Sequence, residues 1–175
     1  MLNRGIKTGL LSLGIAALIC VSGCGYHLRG AQDFPQALQH TYVMGASLTL
    51  QEQFRKALRN ADGQLTAAPE EARVIINILD EQVSQQVLSL SARGRSNELE
   101  LFYRVEYEVL AADKQVLMPR QRLEVKREYY NNQQDIIAKA NEEAVIREEM
   151  RHSAVRLIID RARIVLAAHP NDYAH

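Results

Sequence analysis

Over residues 98–109, apolar and polar side chains alternate: Leu99, Leu101, Tyr103, Val105, Tyr107 and Val109 against Glu98, Glu100, Arg104, Glu106 and Glu108. Successive side chains of a strand point to opposite faces, so the pattern predicts a strand with one face in the core and the other in water. Only Phe102 interrupts it. After a turn at 111–115, residues 116–130 resume the alternation, with Leu123, Val125 and Tyr129 set against Arg122, Glu124, Lys126 and Glu128. Adjacent strands of matching pattern predict an antiparallel pair, and Pro119, which cannot donate to a ladder, predicts an edge position or a bulge. The run Val74, Ile75, Ile76, Ile78 continues with gaps to Leu90. It predicts one long or bulged strand over 72–92, closed by a turn in which Gly94 supplies a positive φ. A shorter apolar run at 40–44 predicts a first strand.

Two segments change to the helical period. Leu50, Phe54, Ala57 and Leu58 share one face of a helix over 48–60, stopped by Asn60, Asp62 and Gly63. From Gln133 to Ala168 there is neither Gly nor Pro. Asn132 is placed to cap this segment and Asp135 lies in its first turn, which predicts a single long helix. Its apolar stripe passes through Ile136, Ala140 and Ala144 and resumes at Ala154, Ile158, Ala162 and Val165, with Arg147, Glu148, Glu149, Arg151 and His152 crowded between. Such a helix is about 54 Å long at ~1.5 Å per residue, more than a small sheet covers, so it is expected to bend, break or overhang near 147–152. The order strand, helix, three strands, helix predicts an α+β fold. The expected form is a two-layer sandwich: a four-stranded, mostly antiparallel sheet with two helices on one face and a right-handed first crossover. The other sheet face is expected to stay polar and open.

The front of the chain has a different pattern. Arg4 and Lys7 precede residues 9–21, in which only Ser12 is polar. These are the charged and hydrophobic regions of a secretory signal peptide. The apolar run is shorter than the ~20 residues a spanning helix needs. It ends Val21-Ser22-Gly23-Cys24, which resembles the lipobox of bacterial lipoproteins. That resemblance implies cleavage before Cys24, a thioether-linked diacylglycerol on its sulfur and an N-palmitoyl group on its amine. Gly25, in place of an aspartate, implies sorting to the outer membrane. Two lipid chains already hold a protein stably on a bilayer, so three would fix the domain there. The expected organisation is a signal peptide over 1–23, a lipidated N-terminus and linker over 24–39, an α+β domain over 40–168 and a tail over 169–175.

Composition narrows the function. Removing residues 1–23 from 175 leaves 152, a usual single-domain length. Arg4 and Lys7 leave with the signal, taking the 21 basic residues to 19 against 21 acidic ones. No basic field is left to attract nucleic acid. Cys20 is removed and Cys24 is consumed by lipid, so neither a disulfide nor a thiolate metal site is expected. His27, His40, His152, His169 and His175 are scattered, and no Gly-rich phosphate loop, nucleophile elbow or His-Glu-x-x-His motif occurs. No catalytic residue, metal site or cofactor is expected, apart from the covalent lipid. Glu98, Glu100, Glu106 and Glu108 could be taken for an acid pair, but their regular spacing reads as a solvated face. Two basic features remain. Arg93 and Arg95 flank Gly94 at a hairpin tip, where guanidinium forks can meet a phosphate bidentately, and Lys139 lies one turn into the last helix.

The hexapeptide "CGYHLR" after the signal, the strand "FYRVEYEVL", the strand end "REYYNNQQ" and the helix opening "DIIAKANEEAVIREEM" together resemble the lipopolysaccharide-assembly lipoprotein family LptE. The resemblance covers essentially the whole mature chain, most specifically its first six residues and 97–152, whereas 45–92 agree only in pattern. It implies two helices on a four-stranded sheet and a non-enzymatic role at the outer membrane. There the domain would sit inside the lumen of the LptD β-barrel, facing the periplasm, assist the barrel's assembly and bind lipopolysaccharide. It also implies lipopolysaccharide contacts at Arg93 and Lys139; Arg95 is not clearly matched. The alternative is a stand-alone periplasm-facing lipid-binding lipoprotein without a barrel partner. Aromatic residues make up only 6% of the chain, which offers little lining for the large apolar cavity such a carrier needs.

Overall fold

In chain order the elements are β1 (His40–Met44), α1 (Leu48–Arg59), β2 (Gln64–Leu65), β3 (Val74–Leu90), β4 (Ser96–Ala111), β5 (Val116–Tyr130) and α2 (Ile136–Ala168). The computed structural model describes residues 35–90, 96–130 and 136–168. The strands form one sheet in the order β2-β1-β3-β4-β5. β1 is parallel to both β2 and β3, and β3, β4 and β5 are successively antiparallel.

The α+β class and the two helices are as expected, but the sheet has five strands rather than four and is mixed rather than mostly antiparallel. The extra strand, β2, pairs only His40 with Gln64 and Thr41 with Leu65. Two residues carry no periodicity, so no pattern could announce it. The long or bulged strand expected over 72–92 is a single bulged one, β3: its register with β4 shifts between Ile78 and Asp80, leaving Leu79 exposed. Pro119 lies on the edge strand β5, beside a register shift between Tyr107 and Val109 of β4.

Local chemistry sets the ends of α1. The Ser47 hydroxyl accepts from Leu50 N–H at 3.3 Å, and Lys56 and Arg59 lie in the last turn, where cations complement the helix dipole. At the C-terminus Gly63 N–H reaches back to Leu58 C=O at 2.9 Å. The left-handed residue that permits this is Asp62, at φ 58, rather than the neighbouring glycine; aspartate tolerates that conformation better than most residues.

Between the helices and the sheet, Val43, Leu50, Phe54, Leu58, Val74, Ile76, Tyr103, Val105 and Tyr107 pack with Met150, Ala154, Val155, Ile158, Ala162 and Leu166. α2 runs through 147–152 without a break. None of residues 141–149 is buried, and regular burial begins at Met150. Ala144 of the expected stripe is exposed, while Ile146 packs against the core and Glu143 bonds to Tyr129 of β5, so this half of α2 lies along the sheet but is less deeply covered. Farther along, Leu166 is fully buried while Val165 is only partly so. The far face of the sheet is not uniformly wet, because Ala72, Ile75 and Leu110 form a second small apolar cluster with Tyr42 packed against it.

Candidate functional site

Of the residues singled out from the sequence, Cys24, Arg93 and Arg95 lie outside the described residues. Lys139 falls in the first turn of α2, and only its backbone is described. The elements around these positions are well defined. Leu90 pairs with Ser96, so residues 91–95 connect β3 to β4. β5 ends opposite the start of β4, with Glu98 paired to Tyr130. Tyr129 O–H donates to Glu143 Oε2 at 2.8 Å, and Arg147 Nε donates to Glu143 Oε1 at 2.9 Å. These bonds hold α2 over the end of β5. The Leu90–Ser96 pair and the N-terminal half of α2 thus belong to the same end of the sheet. The aromatic pair divides between its faces: Tyr129 is buried under α2, whereas Tyr130 is exposed and bonded to Glu98, which pushes its phenol above the ordinary range.

The open face is a ladder of paired charges. Glu106 takes two guanidinium groups, from Arg120 and from Arg122, with Arg122 Nε donating at 2.8 Å. Its own side chain is 9% exposed while those of Arg120 and Arg122 are 66% and 74% exposed. The alternation places Glu106 on a wet face, and it does lie on that face, but the two arginines fold over it. Both oxygens of the Glu106 carboxylate are thus engaged by guanidinium groups.

One step along the ladder, Arg104 Nε donates to Glu124 Oε2 at 2.5 Å and its Nη1 to Ser84 Oγ at 3.1 Å. The Arg104 hydrogen bond is the main cause holding the Glu124 carboxyl below its ordinary range. Phe102, the residue that broke the alternation, lies between two cations: Arg104 at 4.8 Å and Lys126 at 4.7 Å from the ring centroid. Its ring is 7% exposed, covered by their stems and held by cation–π attraction. Asn77 Nδ2 donates to Glu108 Oε1 at 2.8 Å. The signal that could have located this ladder was the pair of matching alternations. They fix which face a charge occupies, but only the register tells which charge it meets.

Among the described residues no three His, Cys, Asp or Glu side chains come together as metal ligands, and no helix is long and apolar enough to cross a membrane. What remains is a sheet with one face packed under two helices and the other presenting charged hydrogen-bonding groups. This defines the class: a small two-layer α+β domain with a polar open face.

A family model described as LptE, lipopolysaccharide-assembly, matches residues 36–162, and the chain belongs to that family. Among its relatives is the LPS-assembly lipoprotein LptE of Photorhabdus laumondii, 27% identical over 151 residues, covering 85% of this chain and 81% of the relative. The protein of the same name from Pectobacterium atrosepticum is 30% identical over 158 residues, with 85% and 81% covered. The solution structure of an uncharacterized lipoprotein B from Nitrosomonas europaea superposes with a TM-score of 0.66 at 27% identity, covering 83% of this chain and 97% of that one. The rare lipoprotein B from Shewanella oneidensis, at 22% identity and a TM-score of 0.59 over 78% of this chain and 99% of its own, shares the fold.

Proposed function

We propose that this protein is a non-enzymatic, lipid-anchored subunit of lipopolysaccharide assembly at the outer membrane, held there by Cys24. In this reading the domain occupies the lumen of the LptD β-barrel, assists the barrel's assembly and binds lipopolysaccharide on its way to the outer leaflet. The observation that carries the reading is the family match over residues 36–162, which takes in both helices and all five strands up to the last turns of α2. The ion-pair ladder supports the lumenal part of it. A large barrel lumen is polar and water-filled, and a domain lodged in it needs a charged face that tolerates water. For the lipopolysaccharide contact, support comes from the end of the sheet that the Leu90–Ser96 pair shares with the N-terminal half of α2. Arg93 and Lys139 are the residues assigned to lipid A phosphates, with Arg95 as an auxiliary cation.

Affinity purification of the anchored protein from outer membranes tests the assembly role: a large β-barrel protein copurifies at one-to-one stoichiometry. Recovery of the protein without a barrel would support the stand-alone lipoprotein instead. The site is tested with the Arg93→Asp, Lys139→Asp double variant. A hydrogen bond to a charged group contributes about 1.5–3 kcal/mol, so lipopolysaccharide affinity should fall at least roughly tenfold while barrel copurification is retained. Unchanged affinity would remove both residues from the site.

A further inference from the structure

A cation on a helix serves an anion only as well as that part of the helix is held in place, because ordering it at the moment of binding lowers affinity. The N-terminal half of α2 is lightly held. Asn141, Glu142, Ala144 and Val145 are exposed and Glu143 is half-buried. Among the described side chains of α2, Ile146 is the first to pack against the core. Glu148 follows, accepting from Gln53 Nε2 of α1 at 3.2 Å.

Ahead of Ile146, Glu143 links α2 to the sheet, and its two carboxylate oxygens are divided between elements. Oε2 accepts from Tyr129 O–H of β5 at 2.8 Å, and Oε1 accepts from Arg147 of the next helical turn, at 2.9 Å from Nε and 2.5 Å from Nη2. Tyr129 is itself fixed, buried beneath α2 and paired through its backbone with Leu99 of β4. Position 139 lies in the same continuous helix, four residues before Glu143, and residues spaced by four share a helix face.

We infer that Glu143, held by Tyr129 and Arg147, is a positioning residue for lipopolysaccharide: it fixes the N-terminal half of α2 against the end of β5 and so sets where Lys139 stands. The inference rests on the assignment of Lys139 to a lipid A phosphate. The ion pair with Arg147 belongs to the same device. A carboxylate one turn from a phosphate-binding cation repels the phosphate, and the Arg147 guanidinium offsets that charge. A solvated acid and a positioning acid therefore differ in sign. Neutralising a solvated Glu143 would tighten anion binding, whereas removing a positioning Glu143 weakens it.

Binding of purified lipopolysaccharide to the full-length protein in mild detergent tests this, for Glu143→Ala, Tyr129→Phe and Lys139→Ala, and for each of the first two combined with the third. Glu143→Ala and Tyr129→Phe should each lower affinity roughly fivefold, as when the binding-competent fraction falls to about a fifth. In the Lys139→Ala background neither should change affinity by more than about twofold, because a residue that acts through another has no effect once that other is gone. Amide hydrogen exchange over 141–146 should quicken in both variants while β4 stays protected, which separates local release of α2 from loss of the fold. Unchanged or tighter binding by Glu143→Ala, or the same loss with and without Lys139, would overturn the inference and leave Lys139 in the site. If Lys139→Ala binds lipopolysaccharide as the parent does, the assignment of Lys139 fails and the positioning role fails with it.

Discussion

Gly45 has φ +75, and a Cβ built there would lie 2.2 Å from the Ile78 carbonyl oxygen. That carbonyl is backbone at the start of the β3 bulge, so it cannot swing away as a flexible side chain would. The left-handed conformation alone costs a non-glycine residue about 1–2 kcal/mol, and the overlap adds to it. Gly45→Ala is therefore expected to lower the unfolding free energy by at least about 2 kcal/mol, measured by urea denaturation; a change under about 0.5 kcal/mol, the range of an ordinary surface substitution, would show that the turn relaxes freely. The same scale shows what sequence reasoning can reach at the candidate site. That Arg104, Glu106, Arg122, Glu124 and Lys126 share one face follows from the period of two alone. That Glu106 is buried beneath Arg120 and Arg122, and that Phe102 lies under Arg104 and Lys126, does not. Those facts depend on a cross-strand register that neither strand encodes by itself.

Among the elements, α2 separates apolar pattern from burial most clearly. Ala144 and Ala154 belong to the same stripe in the sequence, yet Ala154 is fully buried and Ala144 is exposed. Ala154→Leu forces extra methylenes into a filled interface and is expected to cost about 1–3 kcal/mol. Ala144→Leu should stay within about 0.5 kcal/mol of the parent. Thermal and urea unfolding of the two variants make the comparison, and equal losses would mean that the first half of α2 is clamped as firmly as the second. Periodicity reveals which face of a helix is apolar; it does not reveal how deeply each turn of that face is covered. The charged interval at 147–152 was the available sign, and burial begins within it, at Met150. The long strands were legible because each repeats its period over many residues. β2 was not, because two residues make no period, and its place beside β1 comes from the parallel return of the chain after α1.

For the molecule as a whole, the layer between helices and sheet holds an alkaline limit. Tyr103, Tyr107 and Tyr129 all point from β4 and β5 into that layer and are 2%, 0% and 5% exposed. Burial is the first cause that pushes each phenol up, to about 12 for Tyr129, where the hydrogen bond to Glu143 adds to it. A phenol whose pKa is higher folded than unfolded keeps its proton longer in the native state. Its contribution to stability is complete below the unfolded value near 10 and is lost as pH rises through the folded value. Stability should therefore be level in this respect up to about pH 10 and decline from there to about pH 12. For Tyr129 a shift of about two pH units corresponds to roughly 3 kcal/mol at most. Urea denaturation at intervals from about pH 8 to 12, beside ultraviolet absorbance to follow phenolate, measures both halves of the linkage. Tyr129→Phe is the control, because deprotonating lysines also weaken the fold in this range. It should cost about 1 kcal/mol at neutral pH through the lost bond to Glu143, yet make the decline above about pH 10 shallower. An unchanged slope would show that Tyr129 ionises as an exposed phenol and that α2 does not seal the end of β5.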